Sequence, residues 1–388
     1  MSNKIQAIRG MNDLLPKDSG LWLAMEGVIN KLLISYGYKN IRTPIVEKTE
    51  TFCRAIGAVT DIVEKEMYTW QDLSGESLTL RPEGTAGCVR MMIEHNLPRE
   101  GIQKVFYQGP MFRHERPQKG RYRQFHQVGV EIFGATDAKI DAELIALTAQ
   151  LWQRLGLKNI SLEVNSLGSN ETRVEYRALL YSYFSDHKSK LDEDSLRRLE
   201  SNPLRILDSK STDIATLIVN APKMIDHLDE DSTKHFAEFT SYLDCLNINY
   251  TVNPRLVRGL DYYNRTVFEW ISNDLGAQGT ICAGGRYDGL VEQMGGKPTP
   301  GVGFAMGLER LMLLISEQSE SLTKQAPSLY FVALGSEAQQ ASMRICHDIH
   351  QNLPEIIVIN DISMGSLKSQ MKKADKSNSD YALILGEE

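Results

Sequence analysis

The sequence predicts a mixed chain in three parts: an α+β body, a helical stretch set into it, and a small α/β unit at the end. Three observations carry this. Residues 104–134 read as two long strands around a polar loop. Residues 169–249 become rich in Glu, Lys, Asp and Leu at helical spacing, with few strand signals. Beyond residue 328, strands and helices alternate, which is the pattern of a parallel sheet. The 388 residues allow about two to four domains, and 42% hydrophobic with 24% charged is ordinary globular composition.

The elements follow in order. Leu21, Met25, Val28, Ile29, Leu32 and Leu33 recur near helical spacing, and Gly37 supplies the stop. An extended segment, 41–45, carries Pro44, which suits an edge or strand end. A strand-like run from Leu78 leads through Glu83 and Gly84 into a helix beginning at Thr85. After the 104–134 hairpin come an amphipathic helix over 141–155 and a strand over 161–164. Strands resume from Tyr250 through Trp270, then at 280–283 and 301–304, before a helix over 308–315. The polar stretch 316–328, closing on Ala326, Pro327 and Ser328, reads as an interdomain linker. The last unit reads as strand 329–334, helix 337–352, strand 356–359, helix 366–375 and strand 381–385.

Several classes are excluded or bounded. No apolar run reaches the roughly 18 residues of a bilayer span, and the N-terminus lacks the apolar region of a secretory signal. Cys53, Cys88, Cys245, Cys282 and Cys346 lie far apart, without zinc spacing. They read as buried thiols of a reducing, cytoplasmic compartment. A net charge of −7 means that a nucleic-acid partner must be met by a local basic patch. Neither a P-loop nor a G-x-G-x-x-G fingerprint occurs, so any use of ATP is of another kind.

The hairpin carries the strongest chemical signal. Val128, Val130 and Ile132 face one side of its second strand, and Gln127, Gly129 and Glu131 the other. A glycine weakens a strand unless something approaches the backbone there. A ligand lying over Gly129, held by Gln127 and Glu131, would account for it; a solvated outer face is the plain alternative. The joining loop holds Arg113, Arg116, Lys119, Arg121 and Arg123 with only Glu115 against them. Guanidinium forks suit phosphates, so the loop suits a nucleotide triphosphate or an RNA end; a solvated basic turn would look the same. In Arg81-Pro82-Glu83-Gly84-Thr85, Thr85 is either a helix N-cap or a ligand contact, and Glu83 is placed to meet a substrate ammonium. Arg255–Arg265 sets Arg255, Arg258 and Arg265 beside Tyr262 and Tyr263, and Ala283–Asp288 reads as a glycine turn flanked by charge. The run Gly301–Arg310 goes from strand to helix, with small residues that permit close packing or a flat adenine ring.

Together these segments resemble the histidyl-tRNA synthetases, class II aminoacyl-tRNA synthetases of bacterial type, from Ile5 to the C-terminus. Three class II motifs can be placed, at 36–45, 106–131 and 301–310. The segments 81–85, 255–265 and 283–290 are more specific to histidine enzymes. The resemblance implies a catalytic domain on an antiparallel sheet (1–168 and 250–322), a helical insertion (169–249) and a C-terminal α/β anticodon-binding domain (328–388). The family usually continues beyond the third strand of that last domain, so it is expected to be incomplete at its C-terminus.

The resemblance also implies roles. Arg113 and Arg258 would hold the α-phosphate of ATP from opposite sides, as the catalytic pair, and Arg310 the triphosphate tail and adenine. Glu83, Thr85 and Gln127 would bind the histidine α-amino end. Glu131 and Tyr263 would grip the imidazole, with Tyr262 lining the pocket. Arg116, Gln118, Lys119, Arg121 and Arg123 are candidates for the tRNA acceptor end. ATP would arrive with Mg²⁺, without a tightly bound protein metal. The partners would be L-histidine, ATP, tRNA(His) and a second copy of the chain. The alternative is a non-catalytic histidine-binding relative, the regulatory subunit of ATP phosphoribosyltransferase. The retained insertion and the arginines at 113, 258 and 310 count against it.

Overall fold

The computed structural model describes residues 4–57, 60–207, 209, 211, 213–257, 260, 262–318, 327–363 and 365–386. They fall into two compact units, one within residues 1–319 and one within 320–388.

The first unit opens with α1 (Pro16–Ser35). Pro16 stands at its first turn, where the missing N–H is no loss. Trp22, Met25, Ile29, Leu32 and Leu33 form its buried stripe, and Gly37 leaves the helix at φ +81. An eight-stranded sheet follows, built from β1 (Lys39–Asn40), β5 (Gln103–Phe112), β6 (Gln124–Phe133), β7 (Ile160–Ser166), β8 (Thr251–Val252), β9 (Asn264–Ser272), β10 (Thr280–Arg286) and β11 (Gly301–Gly307). Its order is β1-β5-β6-β11-β10-β9-β7-β8. The six inner strands are antiparallel, and only the two-residue edges β1 and β8 pair parallel. A smaller antiparallel sheet joins β2 (Val46–Lys48), β3 (Tyr68–Gln71) and β4 (Ser77–Leu80). Of these, the sequence reading names only β4, as the strand-like run from Leu78.

The helices α2 (Thr49–Ile56), α3 (Thr85–Glu94), α4 (Ala138–Arg154), α9 (Leu290–Gln293) and α10 (Leu308–Gln318) flank the strands. Four more, α5 (Asn170–Asp186), α6 (Glu193–Ser201), α7 (Ala215–Asn220) and α8 (Glu230–Cys245), occupy the stretch read as helical. Part of that stretch gathers a core of its own around Tyr176, Leu180, Phe184, Leu199, Ile206 and Met224, while α8 packs against α4. α10 runs on to Gln318, so the first residues of the expected linker are helical; residues 319–326 of it lie outside the described residues.

The second unit is a parallel sheet, β13-β12-β14, from β12 (Ser328–Ala333), β13 (Ile357–Asn360) and β14 (Tyr381–Leu385), with α11 (Ser336–Asn352) and α12 (Leu367–Ser377). This is the alternation the sequence predicts. Gln370 is buried and ties α12 to the central strand, bonding both Ala333 N and Ala333 O at 3.0 Å.

No disulfide joins the cysteines, and not all of them are buried: Cys88, Cys282 and Cys346 are, whereas Cys53 is half-buried and Cys245 exposed. Among the described residues no helix is long and apolar enough to cross a membrane.

Candidate active site

The inner strands β6, β10 and β11, the N-terminus of α3 and the segment before β9 border one cleft of about 380 Å³. Glu83, Thr85, Arg113, Gln127 and Glu131 line it, as do Tyr262, Tyr263, Arg310 and Arg121. Arg116, Gln118, Lys119 and Arg123 are not in its wall. Arg258, with Gly259 and Asp261, lies outside the described residues.

Glu131 is the most constrained group there. It is 1% exposed, and three hydroxyls donate to it: Thr85 Oγ1 at 2.7 Å and Tyr107 Oη at 3.0 Å to Oε1, and Tyr287 Oη at 2.5 Å to Oε2. Burial raises its pKa to about 8, against the pull of those donors. The carboxylate has room because the residue opposite it on β11 is Gly303; a Cβ there would collide with Oε2.

The other glycine of this strand has a different occupant from the one the sequence suggests. Gly129 pairs with Tyr107 across the hairpin, and the Tyr107 ring fills the space a Cβ at 129 would need. The same ring covers Gly84. What approaches the backbone at Gly129 is therefore a tyrosine of the protein, and no ligand is needed to account for that glycine.

At the start of α3, Glu83 accepts from Thr85 N at 2.7 Å and from Ala86 N at 2.8 Å. These are two of the N–H groups that a helix start leaves open. The N-cap position is Gly84, and Thr85 is the first helical residue, so the N-cap reading of Thr85 fails. Its hydroxyl is thereby free for Glu131. Gln127 Oε1 is buried with no hydrogen-bond partner among the described residues. It is an acceptor lacking a donor, in the wall of the cleft.

Tyr262 and Tyr263 are each 7% exposed, with ring centroids 4.6 Å apart, and Tyr262 meets Tyr287 edge-on at 5.7 Å. Three guanidiniums share the cleft. Arg113 donates Nε to Pro82 O at 2.8 Å and lies 5.3 Å from the centre of the Phe125 ring. Arg310, in the first turn of α10, donates to Gly120 O at 3.2 Å and Thr280 O at 2.5 Å. Burial lowers its pKa, and so do the neighbouring charges of Arg121 and Arg113. Positive groups held within reach of one another at partly buried positions suit an anion of several charges.

The basic loop is folded, and its charges are partly answered. Arg121 pairs with Glu115, whose carbonyl accepts from Arg123 Nε at 3.1 Å, and Lys119 reaches Glu317 at 3.2 Å. Glu115 is thus not the only acidic partner. The segment read as a turn at 283–288 is mostly strand, β10. Arg286 there is not solvated: it is 0% exposed, paired with Asp141 at 2.9 Å and Asp288 at 3.0 Å.

Sequence reasoning missed Tyr107, Tyr287, Glu269 and the Glu309–His126 pair, in which Glu309 accepts from His126 N at 2.9 Å. Only Tyr107 had a legible signal. Hairpin register sets it opposite Gly129, an aromatic facing a glycine.

A family model described as histidyl-tRNA synthetase matches residues 10–311. The histidine–tRNA ligase of Ruthia magnifica subsp. Calyptogena magnifica is 67% identical over all 388 residues, and this chain spans 92% of its length. That of Hydrogenovibrio crunogenus is 59% identical over the same residues, with 91% of its length spanned. Among solved structures, apo histidyl-tRNA synthetase from S. aureus superposes with a TM-score of 0.81 at 36% identity, covering 99% of this chain and 92% of that one.

Proposed function

The chain belongs to the histidyl-tRNA synthetase family and joins histidine to tRNA at the expense of ATP; from that premise we propose which residues carry each step. Its fold is the class II fold of that family. Identities of 59–67% over the whole chain favour the synthetase over the regulatory-subunit reading.

Histidine is held at both ends. Gln127 Oε1, a buried acceptor without a donor, supports a contact to the α-ammonium. Glu83, already engaged by two backbone N–H groups, supplies negative charge beside it. At the other end Glu131 takes the imidazole N–H as the ionised carboxylate, a form that the incoming N–H donor favours over the protonated one retained by burial when the site is empty. A carboxylate has about four acceptor positions; two donors on Oε1 and one on Oε2 leave one open, on Oε2. Tyr263 answers the second imidazole nitrogen, and Tyr262 walls the ring.

The histidine carboxylate attacks the α-phosphorus of ATP, giving histidyl-adenylate and pyrophosphate. Negative charge grows on the phosphoryl oxygens, so fixed guanidiniums placed there lower the barrier. Arg113 supplies one; the role of Arg258 rests on the sequence resemblance alone. Arg310 serves the triphosphate and adenine. Mg²⁺ would enter with the nucleotide and would supply positive charge to its phosphates. Glu269, a carboxylate in the cleft wall, fits the oxygen preference of such a cation. The terminal ribose hydroxyl of tRNA then opens the mixed anhydride, with Arg116, Gln118, Lys119, Arg121 and Arg123 guiding the acceptor end.

Residues 1–168 with 250–322 form the catalytic domain in this reading, and 169–249 the helical insertion. Residues 328–388 serve the anticodon. The separate core of the helical stretch and the compactness of the second unit support these divisions. A homodimer through the first motif is supported by Ile45, exposed at its end, and by Val46, exposed just beyond it. Family membership supports action in the cytoplasm.

The observation that carries the amino-acid assignment is the buried Glu131 under three hydroxyl donors. ATP–pyrophosphate exchange with each of the twenty amino acids tests it. Exchange with histidine alone is expected. Histidine binding without exchange would establish the regulatory reading instead.

A further inference from the structure

The helical stretch 170–245 reaches the elements that carry both tyrosine walls of the cleft, and bonds to one of them. Arg173, in the first turn of α5, donates Nη1 to Tyr263 O at 2.5 Å. Just before α5 the backbone is paired with the strand that follows the tyrosines. Leu167 N donates to Arg265 O at 2.7 Å and Arg265 N to Gly168 O at 2.8 Å, with Arg265 at φ +47. Val257, ahead of the tyrosines, packs against both the main core and the core of the helical stretch. On the other wall, His235 of α8 lies 3.1 Å from Asp141, the partner of Arg286, and Tyr287 follows Arg286 directly. α5 and α8 are themselves joined, because Asp229, the N-cap of α8, accepts from Thr172 Oγ1 at 2.6 Å.

A carbonyl can be answered by water, by a backbone N–H or by a neutral side chain. Here it is answered by a guanidinium from another element, which fixes position as well as satisfying the acceptor. α5 reaches this backbone directly, through the Arg173 guanidinium on the Tyr263 carbonyl. We propose that Arg173 is a positioning residue for histidine selection, acting through the Tyr263 carbonyl to hold the Tyr262–Tyr263 pair against the substrate ring. This rests on the assignment of Tyr263 to histidine.

The test is ATP–pyrophosphate exchange by the full chain with Arg173→Ala, Arg173→Lys and Tyr263→Phe, varying histidine and ATP separately. Arg173→Ala should raise KM for histidine about tenfold, with kcat within about threefold and KM for ATP unchanged. A tenfold change corresponds to about 1.4 kcal/mol. Arg173→Lys keeps a donor within reach of the carbonyl and should recover most of the loss. It also serves if the alanine variant fails to fold. A lowered melting temperature with unchanged KM for histidine would make Arg173 a mere fastening and overturn the proposal. Equal changes in KM for histidine and ATP would overturn it as well. Tyr263→Phe separates the two levels. If it raises KM for histidine while the Arg173 variants do not, only the positioning role falls. If Tyr263→Phe is itself silent, the assignment of Tyr263 falls and the role of Arg173 with it.

Discussion

Glu131 and Gly303 sit opposite each other on β6 and β11, and the Glu131 carboxylate occupies the space that a Cβ on residue 303 would need. The strand glycine is thus the reason a carboxylate can lie flat in the sheet with Tyr287 bonded to it. Gly303→Ala should push Oε2 off the Tyr287 hydroxyl, and overpacking of this kind costs about 1–3 kcal/mol. The expected result is a folded protein with a lower melting temperature and little histidine-dependent exchange. Normal exchange would show that Glu131 tolerates displacement.

Tyr107 has two separable jobs, filling the space over Gly84 and Gly129 and donating to Glu131. Tyr107→Phe removes only the donor. A hydrogen bond to a charged group is worth about 1.5–3 kcal/mol, so kcat/KM for histidine should fall by roughly 10- to 100-fold with stability nearly kept. Tyr107→Ala also empties the space, and large-to-small changes of this size cost about 3–5 kcal/mol. Thermal melts of the two variants beside exchange rates distinguish the jobs.

The raised pKa of Glu131 has a consequence for stability. Between the ordinary carboxylate value, about 4.5, and about 8, the folded chain holds a proton there that the unfolded chain has released. Stability from this group therefore falls as pH rises through that window, by at most about 1.4 kcal/mol per pH unit. Glu131→Gln removes the titration and leaves Asp141, whose pKa burial raises to about 6, common to both proteins. Denaturant unfolding at pH 5.5 and 7.5 should show the wild type losing more stability than Glu131→Gln. Equal losses would mean that Glu131 titrates normally.

Arg258 carries a prediction from its assigned role. If its charge is felt only as the transition state forms, Arg258→Ala should lower kcat by about 2.7–4 kcal/mol with little change in KM for ATP. A change confined to KM would reassign it to ground-state ATP binding. Steady-state exchange with ATP varied reads the difference.

Much of this molecule is legible in its residues. The hairpin alternation puts Val128, Val130 and Ile132 in the core, each 0% exposed, and the C-terminal strands and helices fall where their periodicity puts them. Less was visible where partners come from far along the chain. Arg286 reads as a turn charge because its partner Asp141 is 145 residues away. Thr85 reads as a cap because nothing local says that Glu83 already takes the helix N–H groups, or that Glu131 needs the hydroxyl. The short strands β2 and β3 were not foreseen: at three and four residues they are too brief to establish a period, and Val46 and Trp70 lie exposed in a small sheet.

The central claim is that Glu131 selects histidine by accepting its imidazole N–H. Glu131→Gln keeps the shape, removes the charge and can present a donor where an acceptor is needed. The most direct measurement is pyrophosphate exchange on that variant, with histidine varied at saturating ATP. The account predicts a fall in kcat/KM for histidine of about 100-fold or more, some 2.7 kcal/mol, with KM for ATP nearly unchanged. Wild-type kcat/KM for histidine would contradict it.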